Sequence, residues 1–208
     1  MKKIMFSDAF CLTQAVLAGK KTMTRRLLKV PKTCNGKEVY SFNILTNSLG
    51  TQCVDLIDYG ENALGSWKPH YEVGEVVAIA QPYKDIIERL PMYSNAILDE
   101  VGMPRKEFKA GWTNKMFVRA DLMPHHIQIT DVKIERLQSI SDENILKEGV
   151  WQYPKLRAYH FSKATGFAPD VAFLTAREAF AYLIDRISGK GTWESNPLVV
   201  AYEFKLID

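Results

Sequence analysis

The sequence predicts an α+β fold in which a small antiparallel, barrel-like sheet carries flanking helices and loop insertions. Two observations carry that prediction: strand candidates outnumber helix candidates, and no regular strand–helix alternation points to a doubly wound parallel sheet. A third, the absence of an internal repeat or an obvious linker over 208 residues, assigns residues 1–208 to one domain with insertions.

The elements follow in chain order. Residues 7–18 predict a helix, with Ser7 as N-cap, an apolar stripe of Phe10, Ala15, Val16 and Leu17, and Gly19 as a left-handed stop. Lys20 to Arg26 then alternates; in a strand, Lys21, Met23 and Arg25 face one side and Thr22, Thr24 and Arg26 the other. Residues 31–70 read as loop-like, with short strands at 38–45 and 52–57. A turn at 71–75 leads into a strand at 76–80, closed by Pro82, which lacks the N–H that a ladder needs. Residues 83–114 mix charge, Pro and Gly and read as an insertion. Strands are expected at 115–119 and 127–137, the second turning Ile127, Ile129 and, after a shift, Val132, Ile134 and Leu137 inward. Ser141 caps a short helix running to Lys147, with Asp142 and Glu143 well placed in its first turn and Gly149 as its stop. Residues 151–174 are irregular and aromatic, a third insertion. Thr175-Ala176-Arg177-Glu178 is a capping box that opens a helix to Ser188, with Phe180, Leu183, Ile184 and Ile187 as its stripe. Residues 197–207 alternate as a half-buried strand.

Composition narrows the function classes. At 47% hydrophobic and 25% charged, the chain is neither collagen-like nor disordered. No apolar run approaches a membrane span, and the N-terminus meets charge too soon for a signal peptide, so a cytoplasmic protein without membrane attachment is expected. Cys11, Cys34 and Cys53 form no close pair, neither a disulfide framework nor a zinc set. His125 and His126 are adjacent and point apart in a strand, so no metal or other cofactor is expected. Glycine-rich phosphate loops, zinc-protease helices and serine elbows are absent.

Charge is uneven. Net charge is only +3, yet between residues 9 and 37 there are seven basic residues and no acidic one. Such a segment attracts phosphates or another polyanion. Within it, Lys21 and Thr24 are a candidate base and nucleophile: a hydroxyl needs a nearby base, and crowding by Lys20, Arg25 and Arg26 lowers the pKa of a lysine.

Gly19-x-Lys21-x-x-Thr24-x-Arg26 after a short helix resembles the signature of the ASCH domain, a PUA-like family, usually written G-x-K-x-x-E-x-R. Thr24 stands at the Glu position, as in phage-type relatives and the small amidohydrolase branch. The resemblance continues through the 71–75 turn, through Ile129 to Leu137 with Ile140-Ser141-Asp142-Glu143, and through Trp193 to Pro197 with Tyr202-Glu203-Phe204, about half the chain in the family's order. It implies a PUA-like β-barrel with a cleft lined by the signature loop, and binding of RNA, a nucleoside or a nucleotide.

For the amidohydrolase branch, the resemblance implies hydrolysis of N4-acetylcytidine and related cytosine amides. Thr24 would attack the amide carbonyl, Lys21 would take its proton, and Glu148, at the end of the short helix, would assist transfer to the leaving amine. Lys20, Arg25 and Arg26 would hold a phosphate or an oxyanion. Gln81, which stands where phage-type relatives carry charge, is a further ligand-binding candidate, and the three insertions lengthen the chain to about twice that of the smallest enzymes. Trp112, Trp151 and Tyr153 are candidates for base stacking. Two other expectations stay open: a non-catalytic RNA-binding module, and a phage-derived accessory protein whose basic loop meets an acidic protein partner.

Overall fold

The two longest alternating runs of the sequence become neighbouring strands at the centre of a five-stranded sheet. The computed structural model describes residues 1–46, 50–153, 158–162 and 172–207. Its strands and helices are, in chain order, β1 (Lys3–Ile4), α1 (Leu12–Leu17), β2 (Met23–Leu27), β3 (Thr33–Cys34), β4 (Lys37–Glu38), β5 (Ser41–Thr46), β6 (Gln52–Ile57), β7 (Ala63–Trp67), β8 (Val76–Ile79), α2 (Tyr83–Arg89), α3 (Ser94–Ile97), β9 (His126–Arg136), α4 (Asp142–Lys147), β10 (Trp151–Tyr153), β11 (Ala158–His160), α5 (Ala176–Ser188), α6 (Thr192–Ser195) and β12 (Leu198–Leu206).

The main sheet runs β1-β8-β9-β12-β2. Its pairs are antiparallel except β1 with β8, which is parallel, so the sheet is mixed rather than wholly antiparallel. Among the described residues it does not close into a barrel. With two residues, β1 offers no ladder for β2 to complete. Side chains bridge the gap instead: Arg26 on β2 donates to the carbonyl of Met5, just beyond β1, with its guanidinium 6.0 Å from the Phe6 ring.

In β9 the inward set is Ile127, Ile129, Val132 and Ile134, followed just beyond the strand by Leu137, all buried; the shift in alternation is a bulge in β9 itself, where the pairing skips Thr130 between the partners of Glu203 and Phe204 on β12. Strand β12 is covered more fully than expected, with Val199, Val200, Ala201 and Tyr202 all buried. Residues of α5 (Ala179, Phe180, Leu183) and of β6 (Val54, Leu56) share one core with it, so both faces find apolar cover. The capping box at Thr175 and Glu178 forms with both of its bonds. Ser141 accepts from the Asn144 N–H at the start of α4.

Four expectations are corrected. The 7–18 helix is split, because Cys11 sits at φ +51 between a 3₁₀ turn (Asp8–Phe10) and α1, and Ser7 makes no side-chain cap bond. Residues 31–70 are less loop-like than expected: the strands read at 38–45 and 52–57 fall on β5 and β6, and β7 and a β3–β4 hairpin join them, unread because β3 and β4 have two residues each and β7 contains Gly65. The expected strand at 115–119 is a 3₁₀ turn (Lys115–Phe117), with the carbonyls of Met116 and Val118 taken by the Lys3 ammonium rather than by a ladder. The 83–114 insertion is no bare loop: α2, α3 and their surroundings bury Tyr83, Ile86, Ile97 and Phe108 in a second cluster against Ala78 and Ala80. No described helix is long and apolar enough to cross a membrane.

Candidate functional site

The site begins where α1 stops. Gly19 takes φ +67, and the N–H groups of Lys20 and Lys21 both fold back onto the Ala15 carbonyl. The Thr22 N–H then donates to the carbonyl of Lys147, and the Thr22 carbonyl accepts from the N–H of Phe204. The loop from Gly19 to Thr22 is thereby pinned between the end of α4 and β12.

This pinning drives the Lys21 side chain inward to 2% exposure. Its Nζ donates to the Met23 carbonyl at 2.7 Å, the Glu148 carbonyl at 2.8 Å and Glu148 Oε2 at 2.7 Å. An ammonium has three protons and here each has an acceptor. Glu148 is the C-cap of α4, and Gly149 follows at φ +98. A Cβ at Gly149 would stand 3.0 Å from Leu12 Cδ2 and 3.6 Å from the Lys21 stem, so glycine makes room for the lysine as well as supplying the turn.

Arg25 completes a chain of alternating charge. Its Nη1 donates to Glu148 Oε1 at 2.9 Å, and its Nε and Nη2 reach Glu135 Oε1 at 3.1 and 2.6 Å. Lys133 meets the other Glu135 oxygen at 3.2 Å. Burial pushes the Lys21 amine below its ordinary pKa; attraction to Glu148 opposes this, and Arg26 and Arg25 reinforce it.

Thr24 pairs with Tyr202 across the ladder and is 6% exposed. Lys21, Thr24, Arg25 and Glu148 share the wall of one cavity of about 410 Å³, within the usual range for a small-molecule site. No described group hydrogen-bonds the Thr24 hydroxyl. Much of the remaining lining is apolar: Phe6, whose ring lies 5.9 Å from Lys21 Nζ, Leu12, and Phe180, Leu183 and Ile184 of α5. Arg26 and Lys29, both exposed, also line it.

Five of the seven catalytic and ligand-binding candidates therefore converge, and two do not. Lys20 is exposed and lines a neighbouring cavity of about 630 Å³ with Phe10 and Trp151. It leaves the site because its neighbour Lys21 is the one turned inward. Gln81 is 2% exposed and absent from the 410 Å³ cavity; its N–H donates to Met123 Sδ at 3.3 Å, while its Oε1 has no partner among the described residues. Arg25 is on the wall, but two carboxylates already hold its guanidinium. Trp112 packs on the second cluster, Trp151 lies 5.2 Å from the His160 ring, and the Tyr153 side chain lies outside the described residues.

Sequence reasoning missed Lys29, Glu135 and the α5 wall. Lys29 was visible within the basic run. Ile187, 42% exposed on the apolar stripe of α5, borders the cavity and marks that stripe as wall as well as core. Nothing local distinguished Glu135, which reaches Arg25 only through the pairing of β9, β12 and β2. Among the described residues no group of three His, Cys, Asp or Glu gathers to hold a metal ion. No family model, curated protein or solved structure matches this chain.

Proposed function

We propose that this chain is an ASCH-type, PUA-like protein whose cavity takes a cytosine nucleobase, and that it hydrolyses N4-acylated cytosine amides. The observation that carries the reading is the meeting of Lys21 and Thr24 with Glu148, 127 residues from Lys21 in the chain, on one cavity, with amine and carboxylate 2.7 Å apart. The amphipathic lining supports it: a pyrimidine ring has an apolar face for the α5 side and polar edges for the ionic side. The approach of the two sheet edges through Arg26 and Met5 fits the barrel-like architecture of the family.

The chemistry can be written in balance. Lys21 rests as an ammonium, since its three protons are all accepted, and becomes a base only by passing one proton to Glu148 Oε2. Burial of the lysine favours that transfer, and Arg25 on Glu148 Oε1 opposes it, so the base form is the minor one. The Thr24 hydroxyl attacks the amide carbonyl carbon while Lys21 Nζ takes its proton. The C–N bond breaks, the cytosine amine leaves with the proton held by Glu148, and an acyl ester remains on Thr24. Water, deprotonated in the same way, cleaves the ester. The sum is amide plus water giving cytosine amine plus carboxylic acid.

The test is hydrolysis of N4-acetylcytidine, followed by absorbance, for the native chain, Thr24→Ala, Lys21→Met and Glu148→Gln. The reading expects turnover by the native chain and loss in all three variants; turnover that survives Thr24→Ala refutes the nucleophile. A second reading, a non-catalytic RNA-binding module, is favoured by the saturation of Lys21 with acceptors. It expects no turnover and RNA affinity that falls steeply with salt.

A further inference from the structure

We propose that the ligand of this cavity carries a terminal phosphate monoester, so that cytosine 5′-nucleotides rather than free nucleosides are its substrate class. The inference rests on the reading above that a pyrimidine enters beside Lys21 and Thr24, and it adds what occupies the outer half. Charge accounting is the argument. Four cations line the cavity: Lys21, Arg25, Arg26 and Lys29. Lys21 and Arg25 are balanced by Glu148 and Glu135 within 2.6–2.9 Å.

Arg26 and Lys29 are not balanced. Both are exposed, and among the described residues neither has a carboxylate within ion-pair distance. Arg26 spends one donor on the Met5 carbonyl, a neutral group, and keeps its whole charge. One feature opposes an anion. The last turn of α5 borders the cavity at Ile187 and Ser188, and a helix carbonyl end contributes about −0.5 charge. The outer half therefore keeps roughly +1.5, which matches the roughly −1.5 to −2 of a phosphate monoester at neutral pH. A phosphodiester, at −1, leaves part of that charge unmet.

Spacing agrees. Arg26 lies two residues beyond Thr24 on β2, so both project from the same face, about 6.6 Å apart along the strand. A base amide at Thr24 then directs the sugar and its 5′ substituent along the strand towards Arg26 and Lys29. Arginine supplies the planar donor fork that suits phosphate oxygens, and lysine supplies a mobile point charge.

Calorimetric titration of the full chain with cytidine, cytidine 5′-monophosphate and the diester-linked dinucleotide cytidylyl-cytidine tests this. The monophosphate should bind about tenfold or more tighter than cytidine, and tighter than the dinucleotide. The advantage should fall to within about threefold in Lys29→Glu and in Arg26→Ala, and should shrink with added salt. Lys29 is exposed, so that variant keeps the test valid even where Arg26→Ala fails to fold. Equal binding of cytidine and its monophosphate overturns the proposal, as does a dinucleotide that matches the monophosphate. Turnover separates the two readings: absence of hydrolysis with the monophosphate preference intact removes the chemistry and leaves this inference standing. Equal kcat/KM for N4-acetylcytidine and its 5′-phosphate does the reverse.

Discussion

Two places in this molecule bring a lysine, a threonine and a carboxylate together, and they differ in what surrounds the hydroxyl. Beside β1, the Thr13 hydroxyl donates to Asp8 at 2.5 Å and accepts from Lys115 at 3.2 Å, and Lys115 pairs with Asp8 at 2.8 Å and donates to the Phe6 carbonyl. None of these three residues lines the 410 Å³ cavity. At the cavity the ions are buried and mutually saturated, and the Thr24 hydroxyl has no partner among the described residues. The same three residue types thus make a clamp in one place and a candidate site in the other. The clamp ties the 3₁₀ turn at Lys115 to the Asp8–Phe10 turn and to α1, whereas Thr24 lines a cavity.

The largest effect that separates them is on turnover. Thr24→Ala should lower N4-acetylcytidine hydrolysis by about a thousandfold or more, while Thr13→Ala keeps activity. Stability should run the other way: the buried, doubly bonded Thr13 hydroxyl is worth about 1–2 kcal/mol, the unbonded Thr24 hydroxyl less. Urea unfolding of both variants beside the kinetic assay reads both halves. A Thr13 variant that loses activity, or a Thr24 variant that keeps it, erases the distinction.

Next in size is the carboxylate of the buried cluster. Glu148→Ala leaves Lys21 and Arg25 as cations at about 2% side-chain exposure with one of their shared partners gone. Removing one member of such a pair costs about 3–5 kcal/mol, because the remaining charge is stranded rather than merely unpaired. Urea denaturation measures it; a loss below about 1 kcal/mol means that water reaches the cluster.

The two regions were not equally legible in the sequence. The signature residues lie within six positions of one another and follow a glycine that ends a helix, so local reasoning found Lys21, Thr24 and Arg26. Glu148 came from the resemblance, and its geometry depends on the α4 cap and on Gly149, both readable locally. Glu135 was not legible, because its link to Arg25 runs through strand register over 110 residues. The Asp8–Thr13–Lys115 clamp was invisible for the same reason, and Cys11 at φ +51 broke a helix that every apolar position of 7–18 supported. Long strands and capped helices were read correctly where period and caps agree, as in β9, β12, α4 and α5. In the β5-β6-β7 sheet, β6 was read at its own bounds and β5 nearly so, while β7 was missed because it is short, partly exposed and interrupted by Gly65.

Titration sharpens the contrast further. Burial lowers the pKa of Lys21 in the folded state, from an ordinary 10.5. Between the folded and unfolded values the unfolded chain holds the proton and the folded chain does not, so stability rises with pH there. The contribution of Lys21 is therefore complete above about 10.5 and is lost as pH falls through its folded value. Relative to Lys21→Met, the native chain should gain stability as pH rises through the folded value of Lys21 towards 10.5, by at most about 1.4 kcal/mol per unit. Lys147, raised by its bond to Glu203, has the opposite sign, and its stabilisation is lost only above 10.5. A native-minus-variant difference that is flat or falling with pH means that Lys21 keeps its proton more tightly than its burial implies.

The smallest expected effect lies in the clamp. Asp8 is 42% exposed at its side chain and Lys115 15%, so their Coulomb attraction acts largely through water. Exposed pairs of this kind are worth about 0–1 kcal/mol. Asp8→Ala also leaves Lys115 the Phe6 carbonyl and leaves Thr13 within 3.5 Å of the same oxygen, so neither group is stranded. The loss should therefore stay near or below 1 kcal/mol and should shrink as the screening length falls from about 10 Å at 0.1 M salt to about 3 Å at 1 M. The Glu148→Ala loss should hardly change over that range, since ions at 2–5% exposure are shielded from mobile salt. Unfolding both variants at the two salt concentrations compares the clusters directly. An Asp8 loss that is large and independent of salt would place the clamp in the same electrostatic class as the buried cluster, and space beside the hydroxyl would then be the one remaining difference between them.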